Sequence, residues 1–102
     1  MIYNYQIIMS KITFDWDEEK YLFNQNKHDI TFAEASTVFY DENAIEYYDE
    51  NHSTSEDRFL LLGRSFKLRI LLIVFCLRKN NSTIRIISAR RATKNEKLNY
   101  EV

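Results

Sequence analysis

The chain has 102 residues, with fourteen basic and fifteen acidic side chains and a net charge of -1, enough for one domain around a single core and too few for two. Apolar residues make up 45% of it and no Pro-rich, Gly-rich or repetitive stretch interrupts them, which excludes a disordered chain. The single cysteine, Cys76, excludes a disulfide within the chain, fits a reducing cytoplasm and reads as a small buried hydrophobe.

In chain order, "MIYNYQIIMSK" lacks the basic start and the small-residue cleavage site of an export signal. Met9 is a second candidate start, and residues 1–11 are expected to form an extension ahead of a single domain at 12–102. "ITFDW" alternates and predicts a strand over residues 12–16. Asp17 then reads as an N-cap with Glu18 and Glu19 in the first turn of a helix running to about Lys27. Thr31 and Glu34 have capping-box spacing, and Phe32, Ala35, Val38 and Phe39 share one face, which predicts a helix over 32–40. From Ala44 the texture changes to four strands, "AIEYY", "RFLLLGRSF", "LRILLIVFCL" and "STIRIISAR", expected as an antiparallel meander. "LRILLIVFCL" is apolar at both parities, so it should be central and covered on both faces, with Val74 in the core. Thr93 and Glu96 repeat the capping-box spacing and open a closing helix at 93–101. The expected order is β-α-α-β-β-β-β-α, an α+β domain with helices packed on an antiparallel sheet. Gly63, the only glycine, falls inside a strand and implies either a bulge that re-aims Arg64 or a tight packing spot under a helix.

The small net charge conceals a strong asymmetry. Residues 41–57 hold seven acids and no Lys or Arg, whereas residues 58–102 hold seven Arg and four Lys against Glu96 and Glu101. Such a half-chain suits a polyanionic partner, although basic side chains can also simply solvate a sheet. The acidic segment is expected either beside the basic face or as a solvated loop. The histidines His28 and His52 and the lone cysteine make no metal-site spacing, one glycine cannot build a phosphate loop, and no Ser/His/Asp set stands out. No metal or cofactor is therefore expected. The run Ile70 to Leu77, bracketed by Arg69 and Arg78, is far too short to cross a membrane.

What remains is a set of cations on regular elements: Lys20, Lys27 and His28 along the first helix, Arg58 and Arg64 on one strand, Arg85 and Arg90 on another. Strict alternation puts Ile84, Ile86, Ser88 and Arg90 on one face and Arg85, Ile87 and Ala89 on the other, so Arg85 and Arg90 are expected on opposite faces. His28 has the side chain best suited to proton transfer near neutral pH, and it also suits the C-terminal end of a helix as a cap.

"WDEEKYLFNQNKHDITFAEASTVF", with Trp16, Asp17, Lys20, Asn24, Lys27, His28, Phe32 and Ala35 in place, resembles the N-terminal signature of the BrnT toxins. "DRFLLLGRS" and "IRIISARRATKNEKLNY", with Glu96 and Tyr100, are similar to that family's later motifs, so the resemblance spans roughly residues 12 to 100; Asp29 stands where the family usually has Gly. The resemblance implies a RelE-like fold and the toxin half of a type II toxin-antitoxin pair, a metal-independent endoribonuclease that stops growth by cutting RNA. It also implies an antitoxin with a ribbon-helix-helix DNA-binding domain, through which the complex reaches operator DNA. Under that reading Arg64 and Arg90 hold the phosphate, Lys27 and His28 move protons or stabilise charge, and Arg58, Arg85 and Tyr100 bind substrate; Glu96 is a capping residue or a further participant. The other reading is a noncatalytic module whose basic half binds nucleic acid or an acidic protein surface.

Overall fold

The computed structural model describes residues 12–101; the expected N-terminal extension, with Met9, lies outside the described residues. Strand β1 (Thr13–Trp16) leads into helix α1 (Glu18–His28), whose N-cap Asp17 accepts the Lys20 backbone N–H at 3.0 Å. Asp29 closes α1 in the left-handed conformation, φ 56° and ψ 41°, its N–H donating to the Gln25 carbonyl at 2.8 Å. Asp29 thus adopts the backbone geometry a glycine would supply there.

Helix α2 spans Phe32–Thr37 only, and Val38–Tyr40 form a 3-10 turn, where the sequence predicts one helix to residue 40. The hydroxyls of Ser36 and Thr37 explain the tightening. They bond the carbonyls of Ala33 and Glu34 at 2.7 and 2.6 Å, three residues back, competing with the α-helical pattern. Thr31 caps α2 through the Glu34 N–H at 3.0 Å, but the Glu34 side chain turns into the protein instead of completing the box. Strands β2 (Ile45–Tyr48), β3 (Phe59–Arg64), β4 (Ile70–Arg78) and β5 (Thr83–Arg91) follow, and helix α3 (Lys94–Glu101) ends the described chain. Before α3 the capping box is complete: Thr93 N–H to Glu96 Oε1 at 2.8 Å and Glu96 N–H to Thr93 Oγ1 at 3.2 Å.

The sheet order is β1-β5-β4-β3-β2. The meander β2 to β5 is antiparallel, as expected, and β4 is its central strand. The expectation of a wholly antiparallel sheet is corrected by β1, which adds to β5 in parallel register, Thr13 opposite Thr83 through Trp16 opposite Ile86, giving a five-stranded mixed sheet. One face packs against α1 and α2 through Phe32, Ala35, Val38, Leu61, Leu71, Ile73, Phe75, Ile84, Ile86 and Ala89, with Trp16 and Tyr21 edge-on to or flanking Phe32. On the other face, among the described residues, Leu62, Ile70 and Leu72 pack beneath Ala92 and Tyr100 at one end, and Cys76 is buried further along. Val74 is on this face and only half-buried, so the core residues of β4 are its neighbours Ile73 and Phe75. Cys76 is buried, and burial pushes its thiol up.

Gly63 sits in a continuous register, Leu62 opposite Leu72 and Arg64 opposite Ile70, so the bulge reading fails and the tight-packing reading holds. A Cβ there would lie 2.8 Å from Val38 Cγ1 and 2.9 Å from the Ala44 Cβ. Gly63→Ala is therefore expected to cost roughly 1–3 kcal/mol by overpacking. Urea unfolding would show it, and an unchanged midpoint would mean the Val38 turn yields freely. Among the described residues, no helix is long and apolar enough to cross a membrane.

Candidate active site on the open sheet face

The bulge that the sequence suggests at Gly63 lies instead in β5. Val74 pairs with Ser88 and Phe75 with Ile86, leaving Ile87 as the extra residue. Alternation inverts there: Ile84, Ile86 and Ala89 all enter the helix-side core, while Arg85, Ser88 and Arg90 share the opposite face. The expectation that Arg85 and Arg90 face apart is thereby corrected. Because β3 carries no bulge, Arg58 and Arg64 join them on that face.

Beyond Ile86 the edge of β5 has no β1 partner, and α1 supplies one. The buried Asn24 side chain donates Nδ2–H to the Ala89 carbonyl at 2.8 Å and accepts the Ala89 N–H on Oδ1 at 3.1 Å, as a neighbouring strand would. This clamp fixes the last turn of α1 against β5 just after the bulge. Lys27 and His28, three and four residues along, are set beside Arg90 and Arg91 in a recess of about 490 Å³. Lys20, Lys27 and His28 also line a recess with Ile87 and Ser88. Ser88 and Arg90 continue into a groove of about 370 Å³ with Arg58, Leu60, Leu72, Val74, Asp49 and His52. The three recesses share walls, so a cationic channel runs from α1 over the bulge to the β2–β3 loop.

Burial lowers the His28 pKa, helped by the charges of Lys27 and Arg90, so its imidazole is neutral at neutral pH. Arg90 is half-buried and forked onto Glu96, Nη1 to Oε1 at 2.8 Å and Nη2 to Oε2 at 2.9 Å, with Nη1 also 3.2 Å from the Arg91 carbonyl. The Arg90 hydrogen bonds hold the Glu96 carboxyl down at about 2, despite the opposing effect of its partial burial. Glu96 is thus both the cap of α3 and the group that orients Arg90. The Nε–H and second Nη2–H of Arg90 are not used by these bonds and form a second fork suited to an anion.

Arg64 is placed differently. Its guanidinium stacks 5.7 Å from the Tyr100 ring, and Arg64 N–H and Tyr100 O–H both donate to Asp41 Oδ2 at 2.7 Å. Burial and the bond to Asp41 push the Tyr100 phenol up to about 12. Arg64 lines a recess with Arg69, Arg91, Lys97 and Glu101, which shares no residue with the groove of Arg58 and Arg90. Arg85 faces Asp15 of β1 at 3.5 Å. Of the acidic segment, Asp41 meets the basic face, Glu56 pairs with Arg78 at 3.0 Å, and Asp57 accepts the Tyr48 hydroxyl at 2.9 Å. Among the described residues, no group of three or more His, Cys, Asp or Glu is placed to hold a metal ion.

A family model described as "Ribonuclease toxin, BrnT, of type II toxin-antitoxin system" matches residues 16–96. The chain belongs to the BrnT family. Among solved structures it is similar to the Brucella abortus ribonuclease toxin BrnT, with a TM-score of 0.63 and 22% identity over 81% of this chain and 99% of that one. That likeness shows the shared fold. No curated protein matches the chain.

The BrnT signature divides by role in this structure. Trp16, Phe32 and Ala35 build the core, Asp17 caps α1, and Asn24 clamps β5, so these are positions the fold itself requires. Lys20, Lys27 and His28 line the channel instead. In "RIISAR" the doubled isoleucine contains the bulge, which is what brings its two arginines to one face of this BrnT chain. Sequence reasoning missed Asp41 and the pairing of Glu34 with Arg69, because their partners are distant in the chain.

Proposed function

We propose that this chain is a metal-independent endoribonuclease, RelE-like in its architecture, that acts in the cytoplasm and stops growth by cleaving RNA through attack of a 2′-hydroxyl on the adjacent phosphate. The observation that carries the reading is the bulge at Ile87, which gathers Arg58, Arg85 and Arg90 on one open face and sets Lys27 and His28 beside Arg90. Arg90 offers its unused fork to the scissile phosphate and neutralises charge as it develops, its geometry held in advance by Glu96. His28, neutral at neutral pH, accepts the 2′-hydroxyl proton, with Lys27 adding positive charge. Arg58 holds the strand along the groove, and Arg85, further along the same face beside Asp15, adds positive charge for the substrate beyond it. Arg64, stacked on Tyr100 in the neighbouring recess, holds a flanking phosphate.

As the toxin of a type II pair, it takes a cognate antitoxin whose ribbon-helix-helix domain carries the complex to operator DNA. The exposed cationic channel is the surface such a partner must cover to silence cleavage.

Arg90→Ala is expected to abolish growth inhibition and RNA cleavage while leaving a folded protein, and Arg64→Ala to weaken RNA binding and toxicity. Growth assays at matched expression check both, with circular dichroism of the purified variants. Full toxicity of both would remove the phosphate assignments. A noncatalytic binder would instead lose affinity on Arg90→Ala with no cleavage product from either protein.

A further inference from the structure

The β2–β3 loop presents a histidine that the mechanism above does not use. Asp49 donates its N–H to the Arg58 carbonyl at 2.9 Å, extending the β2–β3 ladder by one pair. Ser53 Oγ then donates to the Asp49 carbonyl at 2.6 Å and accepts the Arg58 N–H at 2.9 Å, closing the base of the loop. His52 stands on this braced turn with its side chain 68% exposed, at the wall of the groove that holds Arg58, Ser88 and Arg90. Its Nδ1 lies 3.0 and 3.1 Å from the two oxygens of Asp49, a side chain only 12% exposed. An ionised carboxylate can only accept, so Nδ1 carries the proton in this contact and Nε2 is left for a ligand.

His28 and His52 reach the same place from different directions. His28 comes from the end of α1 at the β5 edge and lines recesses with Ser88 and with Arg90. His52 comes from the β2–β3 loop, across β4, and lines a groove with both. In an in-line displacement at phosphorus the entering and leaving oxygens are on opposite sides, so base and acid must approach from opposite sides too.

We infer that His52, oriented by Asp49, is a second catalytic histidine that protonates the leaving 5′-oxygen while His28 serves as base. The inference rests on the ribonuclease reading. As the O2′–P bond forms, the 2′-hydroxyl proton passes to His28. The P–O5′ bond breaks with its electron pair moving to O5′, which takes the Nε2 proton of His52; His52 enters this step as the imidazolium, and its Nδ1 proton stays on the contact with Asp49 throughout. The products are a 2′,3′-cyclic phosphate and a 5′-hydroxyl; His28 ends protonated and His52 neutral, and no oxidant or reductant is needed. The charged groups facing His52 are Asp49, Arg58 and Arg90.

The test uses an RNA oligonucleotide whose cleavage position has been mapped with the wild-type protein, and its analogue with a bridging 5′-sulfur at that position, because a thiolate leaves without being protonated. His52→Ala should cut the oxygen substrate at least about 100-fold more slowly and the sulfur substrate at close to the wild-type rate. Asp49→Asn should show the same pattern to a smaller degree, whereas His28→Gln should slow both substrates. The melting temperature of His52→Ala should match the wild type, since the side chain is exposed. Wild-type cleavage of the oxygen substrate by His52→Ala, or equal losses on both substrates, overturns the assignment while leaving the ribonuclease reading intact. A wild-type protein that gives no cleavage position to map overturns both.

Discussion

Glu34→Ala is expected to cost roughly 3–5 kcal/mol, a large part of the stability of a domain this size. Glu34 is almost wholly buried, at 1% exposure, and its carboxylate receives the Ser65 hydroxyl at 2.6 Å and Arg69 Nε–H at 2.9 Å, with Arg69 Nη2 on the other oxygen. Arg69 Nη2 also approaches the Asp29 carbonyl at 3.4 Å, so one side chain ties the end of α1, the start of α2 and the β3–β4 turn. Deleting the carboxylate leaves a largely buried guanidinium without its partner, and deleting Arg69 leaves a buried carboxylate, the costlier remnant. Burial pushes the Glu34 carboxyl up, but the Arg69 and Ser65 hydrogen bonds and the Arg69 charge outweigh it and leave the pKa below the usual glutamate value. A lowered folded-state pKa means that the stabilisation is complete above the unfolded glutamate pKa and is lost as pH falls through the folded one. The penalty of Arg69→Ala should therefore be largest at pH 7 and shrink in strong acid. Urea unfolding of wild type and variant at both pH values checks this; equal penalties would show that the pair is not what the variant removes.

Asn24→Ala is the second large effect. It strands both the N–H and the carbonyl of Ala89 on a buried stretch of strand edge, each worth about 1–3 kcal/mol when left unpaired. It also frees the end of α1 that carries Lys27 and His28. A loss of about 2–4 kcal/mol is expected, together with a fall in cleavage rate measured at a temperature where the variant is still folded. Asn24→Asp should rescue little, since a carboxylate can accept from the Ala89 N–H but presents only an acceptor to its carbonyl. A variant that melts like the wild type would show that water replaces the amide without cost.

The parts of this structure that were legible in the sequence are those set by local chemistry. Asp17, Thr31 and the Thr93–Glu96 box reach only three residues and need no partner from elsewhere in the chain. The centrality of β4 followed from its apolar residues at both parities, but that same uniformity hid which residues face away from α1 and α2, and Val74 fell there. The bulge at Ile87 was illegible for a related reason: in "IRIISAR" the two adjacent isoleucines satisfy either register, so strict alternation separated two arginines that the fold unites. Pairing of β1 with β5 joins residues seventy positions apart, and a four-residue strand does not encode its partner. Glu34 had capping-box spacing and spends its side chain on Arg69, a choice made by burial rather than spacing. Of the site, the cationic residue types and His28 were visible, while the partners that orient them, Asn24 on β5 and Glu96 on Arg90, became visible only in three dimensions.

The most direct test of the account is to incubate the purified protein with RNA in excess EDTA and analyse the product ends, beside a matched substrate carrying a single 2′-deoxy residue at the cleavage position. The account predicts cleavage in EDTA, with 2′,3′-cyclic phosphate and 5′-hydroxyl ends, and no cleavage at the deoxy position. Loss of cleavage in EDTA, or a deoxy-containing bond that is still cut, would contradict it and point instead to metal-assisted attack by water.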